Sequence, residues 1–326
     1  MSNIGIVGSA YKLPKTFVSI SELKKRGLEY NLRRPEELEI PKLQSVDLSD
    51  IGGVHSFADE EYGELAMECI NELIKKENIT GKDIGLIIDF STVSRATNGI
   101  SLVYYVQQEL KADNAMLLSI GNGSCFSFIM ALKIVQSLMD TTPEINYAVL
   151  FSEDRVNGKR IIPSFHILGD GSTAMLIKRD HCDMLIKETQ SFSIGRFNKI
   201  MGINHWQNEN FDMPEFENKV IPVHYKVMYD LVHKILDNNN LTIKDIDLFL
   251  YQNMSSNDYY GLIGALNLPR ERVFMDGLKE HGHVFGGDLL INLTLANPVI
   301  QEKEMRNILF INSGAGFSWG AALIQR

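Results

Sequence analysis

Short apolar runs alternate along the chain with longer segments of helical spacing. Ile4–Val7 is a brief apolar run and predicts a first strand. Over Glu60–Lys76 the residues Leu65, Met67, Ile70, Leu73 and Ile74 recur at helical intervals, which gives a helix one apolar face. The same reading predicts a buried strand at Ile84–Ile88, a helix at Ile100–Leu110, a strand at Ala115–Ile120 and a long apolar helix at Phe126–Leu138. Tyr147–Phe151 and Thr173–Ile177 read as further strands. This βαβα alternation predicts an α/β fold around a buried sheet.

The second half of the chain echoes the first. NITGKDIGL begins at Asn78 and NLTIKDIDL at Asn240, with six of nine positions identical. Each follows a helical segment and runs into an apolar strand, Ile87–Phe90 or Phe249–Tyr251. A second echo pairs GDGSTAMLIKR, from Gly169, with GAGFSWGAALIQR, from Gly314; each is a Gly-rich turn feeding a strand that ends in Leu-Ile-x-Arg. Two echoes in the same order predict a duplicated α/β unit, with one half over residues 1–183 and the other over 184–326.

Composition narrows the picture. Hydrophobic residues make up 44% and charged residues 22%, with no Pro-rich or Gly/Ser-rich linker, so the halves are expected to share a core. The formal net charge of −9 argues against a nucleic-acid footprint, which needs clustered Lys and Arg. A local basic excess does exist at Lys24, Lys25, Arg26, Arg33 and Arg34; it suits a phosphopantetheine carrier or, equally, a solvated helix face. No run approaches the ~18 apolar residues of a membrane span, so no membrane partner is expected. The opening MSNIGIVGSAYKLP lacks a basic region before its apolar run and reads as a strand rather than a leader, which suggests a cytoplasmic protein. Cys69, Cys125 and Cys182 form no Cys-x-x-Cys pair, so neither a metal site nor a disulfide framework is expected.

One cysteine stands apart. In LLSIGNGSCFSFIMALKIVQSLM a strand ends in a Gly/Asn/Ser turn, then comes Cys125, then a strongly apolar helix. A thiol at a helix start meets unpaired backbone N–H groups and the positive end of the helix dipole, which favour thiolate, the reacting form. The competing reading is a buried structural cysteine. Cys69 and Cys182 lack this setting.

The second half supplies partners. In KEHGHVFGGDLLINL, glycines place His283 on a turn entering an apolar helix, and Asp288 follows within the first helical turns. That pairing can orient an imidazole and stabilise its cation. An Asp in a first turn also serves simply as a favourable charge for the dipole. His281 is a competing candidate; His55, His166, His181, His205, His224 and His233 fall in no motif and read as structural or exposed.

Four segments together resemble the ketoacyl-ACP synthase III family of the thiolase-like superfamily. They are the Cys125 turn, ILGDGSTAMLI from Ile167, YQNMSSN from Tyr251, and NSGAGFSWGAALIQR from Asn312. The resemblance spans nearly the whole chain. It implies a thiolase fold, two pseudo-symmetric α/β halves in a five-layer αβαβα arrangement. It also implies a homodimer, in which the segment around Asn98–Tyr104 reaches the partner's tunnel.

The departures from the family pattern bear on the reaction. The resemblance puts a catalytic His where this chain has Tyr251, followed by Gln252 and Asn253, and a catalytic Asn where it has His283. In condensing members that His and Asn stabilise a malonyl carbonyl during decarboxylation. Here the set is Cys125, His283 and Asp288, with Tyr251 and Asn253 as secondary candidates. It resembles the subgroup that acylates an alcohol, amine or other nucleophile without decarboxylation. The implied substrates are an acyl-CoA or acyl-carrier-protein thioester and a small-molecule acceptor. No cofactor or metal is implied, and the backbone N–H groups of Cys125 and Gly316 form the implied oxyanion hole. Decarboxylative condensation, and a non-catalytic partner subunit, are the alternatives.

Overall fold

The two Thr-x-x-Asp turns in the repeated segments show how sequence sets the frame. In the first, the Asp83 carboxylate accepts from the Thr80 N–H at 2.8 Å and from its hydroxyl at 2.9 Å. In the second, Asp245 accepts from the Thr242 N–H and hydroxyl, both at 2.7 Å. Each turn is preceded by an asparagine in the left-handed region, Asn78 at φ 57° and Asn240 at φ 53°, a conformation Asn tolerates better than most residues. The echo is therefore one device used twice: it stops a helix and aims the chain into a central strand.

A computed structural model describes residues 3–29, 32–33, 51–58, 60–93, 100–162, 166–201, 211–212 and 215–326. Ten strands form its main sheet system. In the first half these are β1 (Ile4–Lys12), β2 (Ile84–Asp89), β3 (Met116–Ser119), β4 (Tyr147–Asp154) and β5 (Gly171–Arg179). In the second half they are β6 (Met184–Ser193), β7 (Leu248–Tyr251), β8 (Val273–Phe274), β9 (Asn307–Gly314) and β10 (Ser318–Gln325). Their order is β8-β7-β9-β10-β6-β1-β5-β4-β2-β3. Counting outward from the centre, the first half runs 1-5-4-2-3 and the second 6-10-9-7-8, the same order with five added. The senses match too. β1–β5 and β5–β4 are antiparallel, β4–β2 and β2–β3 parallel, as are their counterparts. Both sequence echoes fall on equivalent strands, the first leading into β2 and β7, the second forming β5 and β10. The halves meet through β1 and β6, paired only at Gly5–Leu185 and Ile6–Met184. A Cβ on Gly5 would lie 2.5 Å from the Met184 carbonyl oxygen, so glycine permits that seam.

Among the described residues, the helices around these strands include α1 (Glu64–Glu77), α2 (Val103–Leu110), α3 (Ser127–Thr141), α4 (Ile221–Asn238), α5 (Ser256–Leu266), α6 (Asp276–His281) and α7 (Asp288–Glu302). Three apolar clusters define the layers. One joins α1 and α2 to Ile87, Val149, Ala174 and Leu176. The middle one joins α3 and α7 to Leu86, Ile88 and Met175 of the first half and to Leu250, Phe310 and Ala322 of the second. The last joins α4 and α5 to Phe249, Leu309 and Leu323. Neighbouring residues such as Ile87 and Ile88 thus face opposite layers, as the pleat requires. The result is the five-layer αβαβα fold.

Element boundaries moved in both directions. The strand predicted at Ile4–Val7 continues to Lys12 because it pairs with β5 along its length. The helix predicted from Ile100 begins at Val103, and Ile100 is exposed. Among the basic residues near the N-terminus, Arg26 pairs with Glu22 at 2.8 Å on the surface. Arg34, the Arg33 side chain, His205 and Asn98 lie outside the described residues.

Candidate active site

The turn into α3 is strained where chemistry would need it. Ser124 sits at φ 54° and ψ −147°, a region costing a non-glycine residue about 1–3 kcal/mol. Two hydroxyls hold it there: the Ser124 carbonyl accepts from Ser127 Oγ at 2.7 Å and from Thr92 Oγ1 at 3.0 Å. Thr92 is fixed in turn, because the buried Asp154 carboxylate accepts from the N–H groups of Thr92 and Val93, both at 2.7 Å. Asn312 Nδ2 donates to the Cys125 carbonyl at 2.7 Å, tying the elbow to β9. Gly314 allows this approach, since a Cβ there would meet Gly123 O at 2.5 Å and Phe126 N at 2.9 Å. Cys125 is thereby presented two residues before α3.

His283 is held by the segment after residue 165. Its N–H donates to Ile167 O at 2.8 Å, and its carbonyl accepts from Gly169 N at 3.0 Å. A side chain on Gly169 would strike His281 O at 2.5 Å, so the first glycine of the Gly-Asp-Gly segment is required by the chain that carries His283. The Asp170 between the glycines forms a buried pair with Arg160, its two oxygens each 2.8 Å from a guanidinium nitrogen. That motif is therefore scaffolding for His283.

The three sequence-predicted groups come together. Cys125 Sγ lies 2.9 Å from His283 Nε2, and His283 Nδ1 donates to Asp288 Oδ2 at 2.5 Å. Asp288 opens α7 and is fully buried. Its Oδ2 also accepts from Asn253 N, and its Oδ1 from Val284 N, each at 2.6 Å. Burial alone would push the His283 imidazole toward its neutral form, but the charges of the Cys125 sulfur and the Asp288 carboxylate, and the bonds to both, hold its pKa well above the ordinary range. The arrangement can take a proton from Sγ to Nε2 and store the resulting cation against Asp288.

The secondary candidates lie elsewhere. Asn253 contributes its backbone to Asp288, while its side-chain oxygen accepts from Tyr259 and Asn292 at 3.0 and 2.9 Å. Tyr251 is fully buried, and its hydroxyl faces His224 Nε2 at 3.4 Å; burial raises its pKa well above the ordinary phenol value. In the 314–317 turn, Ala315 and Phe317 line the cavity beside Cys125, and Gly316 adopts φ 131°. His281 is buried, its ring tilted against that of Tyr11 with centroids 5.6 Å apart.

Three residues of the site carried no recognisable signal. His166 packs edge-on against His283, ring centroids 5.1 Å apart, and burial followed by the His283 charge keeps its pKa well below 6.5. His224 and Asp258 line the same cavity as Cys125 and His283. His224 shares helical spacing with the buried Val227, Met228 and Leu231, a periodicity that marks it as core-facing. Asp258 sits three residues after Ser255 and reads as an ordinary helix-start carboxylate. None of the three lies within a motif.

Comparison with known proteins follows this geometry. Residues 236–326 match the family described as 3-Oxoacyl-[acyl-carrier-protein (ACP)] synthase III C terminal. A beta-ketoacyl-[acyl-carrier-protein] synthase III from Clostridium perfringens is 28% identical over the full length of both chains. One from Wolbachia pipientis is 26% identical over 80% of this chain and 83% of its own. Among solved structures, 3-oxoacyl-[acyl-carrier-protein] synthase III from Aquifex aeolicus superimposes with a TM-score of 0.80 at 20% identity, covering 99% of this chain and 100% of that one. The acyltransferase ChlB3 gives 0.81 at 17% identity over 100% and 98%. An OleA variant from Xanthomonas campestris gives 0.78 at 17% over the same shares. The fold is the thiolase fold. Along its length the chain resembles the 3-oxoacyl-ACP synthase III transferases.

Proposed function

We propose that the protein transfers an acyl group from an acyl-CoA or acyl-carrier-protein thioester, through a thioester on Cys125, to a small acceptor nucleophile, without decarboxylation. The observation that carries this reading is the hydrogen-bonded line Cys125–His283–Asp288, with Sγ–Nε2 at 2.9 Å and Nδ1–Oδ2 at 2.5 Å. In the resting pair the Cys125 proton sits on His283 Nε2, which the Asp288 carboxylate favours, and the Cys125 sulfur attacks the donor carbonyl. The donor carbon–sulfur bond breaks, and the departing thiol takes that proton. The acceptor then gives its proton to His283 as it attacks the acyl-Cys125 carbonyl, and the Cys125 sulfur leaves as thiolate, which restores the resting pair. Backbone N–H groups of Cys125 and Gly316 are assigned to the carbonyl oxygen, an electrostatic role worth several kcal/mol in such reactions.

The names of the curated relatives favour a second reading, condensation with a malonyl thioester. One experiment separates the two. Purified protein is loaded with acyl-CoA, and the Cys125 adduct is read by intact mass. Malonyl-CoA or malonyl-ACP is then added and released carbon dioxide is measured. Adduct formation without carbon dioxide release supports acyl transfer; stoichiometric release assigns the condensation.

The same resemblance carries the homodimer into this proposal. Among the described residues β3 ends the sheet, and Met116 and Tyr104 beside that edge are exposed. An unpaired edge with apolar cover suits pairing with a second copy. Light scattering giving twice the chain mass at micromolar concentration supports it, and a monomer mass overturns it.

A further inference from the structure

The cavity that holds Cys125 and His283 has a second polar end. Phe216, Ile221, Met254 and Phe317 form apolar walls, and His224 and Asp258 lie among them. No Lys or Arg occurs among the described residues that line it.

Asp258 is an unusual helix-start carboxylate. Its own N–H donates to the Ser255 hydroxyl at 3.2 Å, the first half of a capping box. The reciprocal bond would return the Asp258 carboxylate to the Ser255 N–H. Instead Oδ1 accepts from the Tyr225 hydroxyl at 3.2 Å, and Oδ2 is buried with no hydrogen-bond partner among the described residues. Gly261, one turn further along α5, leaves room for that tyrosine: a Cβ there would lie 2.1 Å from Tyr225 Oη. The neighbouring histidine does not supply the missing charge. His224 Nδ1 accepts from Trp319 Nε1 at 3.0 Å, so the neutral ring carries its proton on Nε2, 3.9 Å from Asp258 Oδ1. Burial pushes the His224 pKa down to about 4, so that ring is neutral at physiological pH.

Asp258 is 18% exposed as a side chain, but its Oδ2 is shielded from solvent with no hydrogen-bond partner among the described residues and no Lys or Arg lines the cavity, so a desolvation cost is left that an incoming cationic donor would offset. We infer that Asp258 is a specificity-determining residue that binds the ammonium group of an amine-bearing acceptor in the cavity shared with Cys125. The assignment rests on the proposed acyl transfer only in calling that ligand the acceptor.

The cavity offers about 60 Å³, room for roughly four to six water-sized groups, so the probes are propylammonium chloride and its isostere 1-propanol. Both are titrated calorimetrically into full-length protein, and into the Cys125→Ala variant, which keeps the result independent of whether Cys125 accepts an acyl group. At pH 7.5 propylammonium should bind at least tenfold tighter than 1-propanol, and Asp258→Asn should remove the preference. A second arm uses unaltered protein and does not depend on the variant folding. Burial raises the Asp258 pKa to about 6 against the downward pull of Tyr251, Tyr225 and the His283 charge, so its negative charge is present above that pH and lost below it. The histidines and phenols around the cavity keep their state in this window. His224 and His166 stay neutral, the raised His283 stays cationic, and the Tyr225 and Tyr251 phenols stay protonated. Propylammonium stays charged throughout, so its preference should collapse between pH 7.5 and pH 5. Equal binding of the two probes at pH 7.5, or a preference that survives both Asp258→Asn and pH 5, overturns the assignment.

Discussion

The two central helices begin in closely similar ways and carry opposite halves of the proposed chemistry. α3 follows the short 3₁₀ turn Gly121–Phe126, and α7 follows Phe285–Gly287. Each approach contains a non-glycine residue at positive φ, Ser124 at 54° and Phe285 at 50°. The starts nearly touch, since a Cβ on Gly286 would lie 3.4 Å from Cys125 O. At the first start stands a thiol; at the second, a histidine precedes the helix and a carboxylate opens it. A repeated unit thus sets two helix N-termini face to face, and the side chains break the symmetry. Each start sets its polar side chain near the positive end of a helix dipole, which favours negative charge.

The sharpest way to break this comparison is to empty one start. Cys125→Ala should abolish the acyl adduct seen by intact mass after exposure to acyl-CoA, while Cys69→Ala and Cys182→Ala retain it. An adduct on Cys125→Ala protein removes the assignment. Emptying the other start should leave an enzyme that loads but transfers poorly. His283→Ala removes the base for the acceptor, a role worth about 10²–10⁴-fold in rate. Single-turnover transfer should fall by that factor, with loading of Cys125 reduced less.

Asp288→Asn tests the second start more gently, and the structure adds a cost the sequence does not show. Asp288 accepts from His283 and from the N–H groups of Val284 and Asn253. An amide can face those donors with one oxygen only, so at least one buried donor loses its partner, about 1–3 kcal/mol of stability. Transfer should drop, by less than in His283→Ala, as the imidazole loses its orienting carboxylate, accompanied by a lower melting temperature. Unchanged melting would show that the two backbone bonds contribute little. Gly314→Ala presses on the first start from β9, because its Cβ would collide with Gly123 O and Phe126 N. It should cost about 1–3 kcal/mol in chemical denaturation, with a smaller loss of transfer than either His283→Ala or Asp288→Asn.

What the sequence made legible were the groups whose local setting is the signal. Cys125 announces itself by a strand, a glycine turn and an apolar helix. His283 and Asp288 are five positions apart and stand on one turn. The strand alternation and the Thr-x-x-Asp echoes likewise carry the fold, because each is built within about ten residues. His166, His224 and Asp258 were illegible for the opposite reason. They reach the cavity from segments brought together only by the packed layers, and each has a satisfactory local role, as a core histidine or a first-turn acid. The Gly-Asp-Gly segment was visible but not its purpose, since only the chain path shows that Gly169 and Ile167 grip His283.

The smallest expected effect belongs to Tyr251, and it tests whether the chemistry moved away from the position the family resemblance marks. Tyr251 is buried behind the cavity wall, and its hydroxyl approaches His224 Nε2 at 3.4 Å and Gln252 Nε2 at 3.5 Å. Both contacts are long for hydrogen bonds, and the hydroxyl's remaining interaction is with the Asp258 carboxylate, so deleting it leaves the Cys125–His283–Asp288 line untouched. Burial holds its pKa well above the ordinary phenol value, so it stays protonated at neutral pH and is a poor base there. Tyr251→Phe fills the same volume and should change transfer by less than about threefold, a free-energy difference under about 1 kcal/mol. The measurement is the same single-turnover transfer used for His283→Ala, on protein whose adduct is confirmed by mass. A large loss in Tyr251→Phe beside a near-normal His283→Ala would return the acid–base chemistry to the end of β7. The contact between Cys125 and His283 would then be a matter of packing rather than proton transfer.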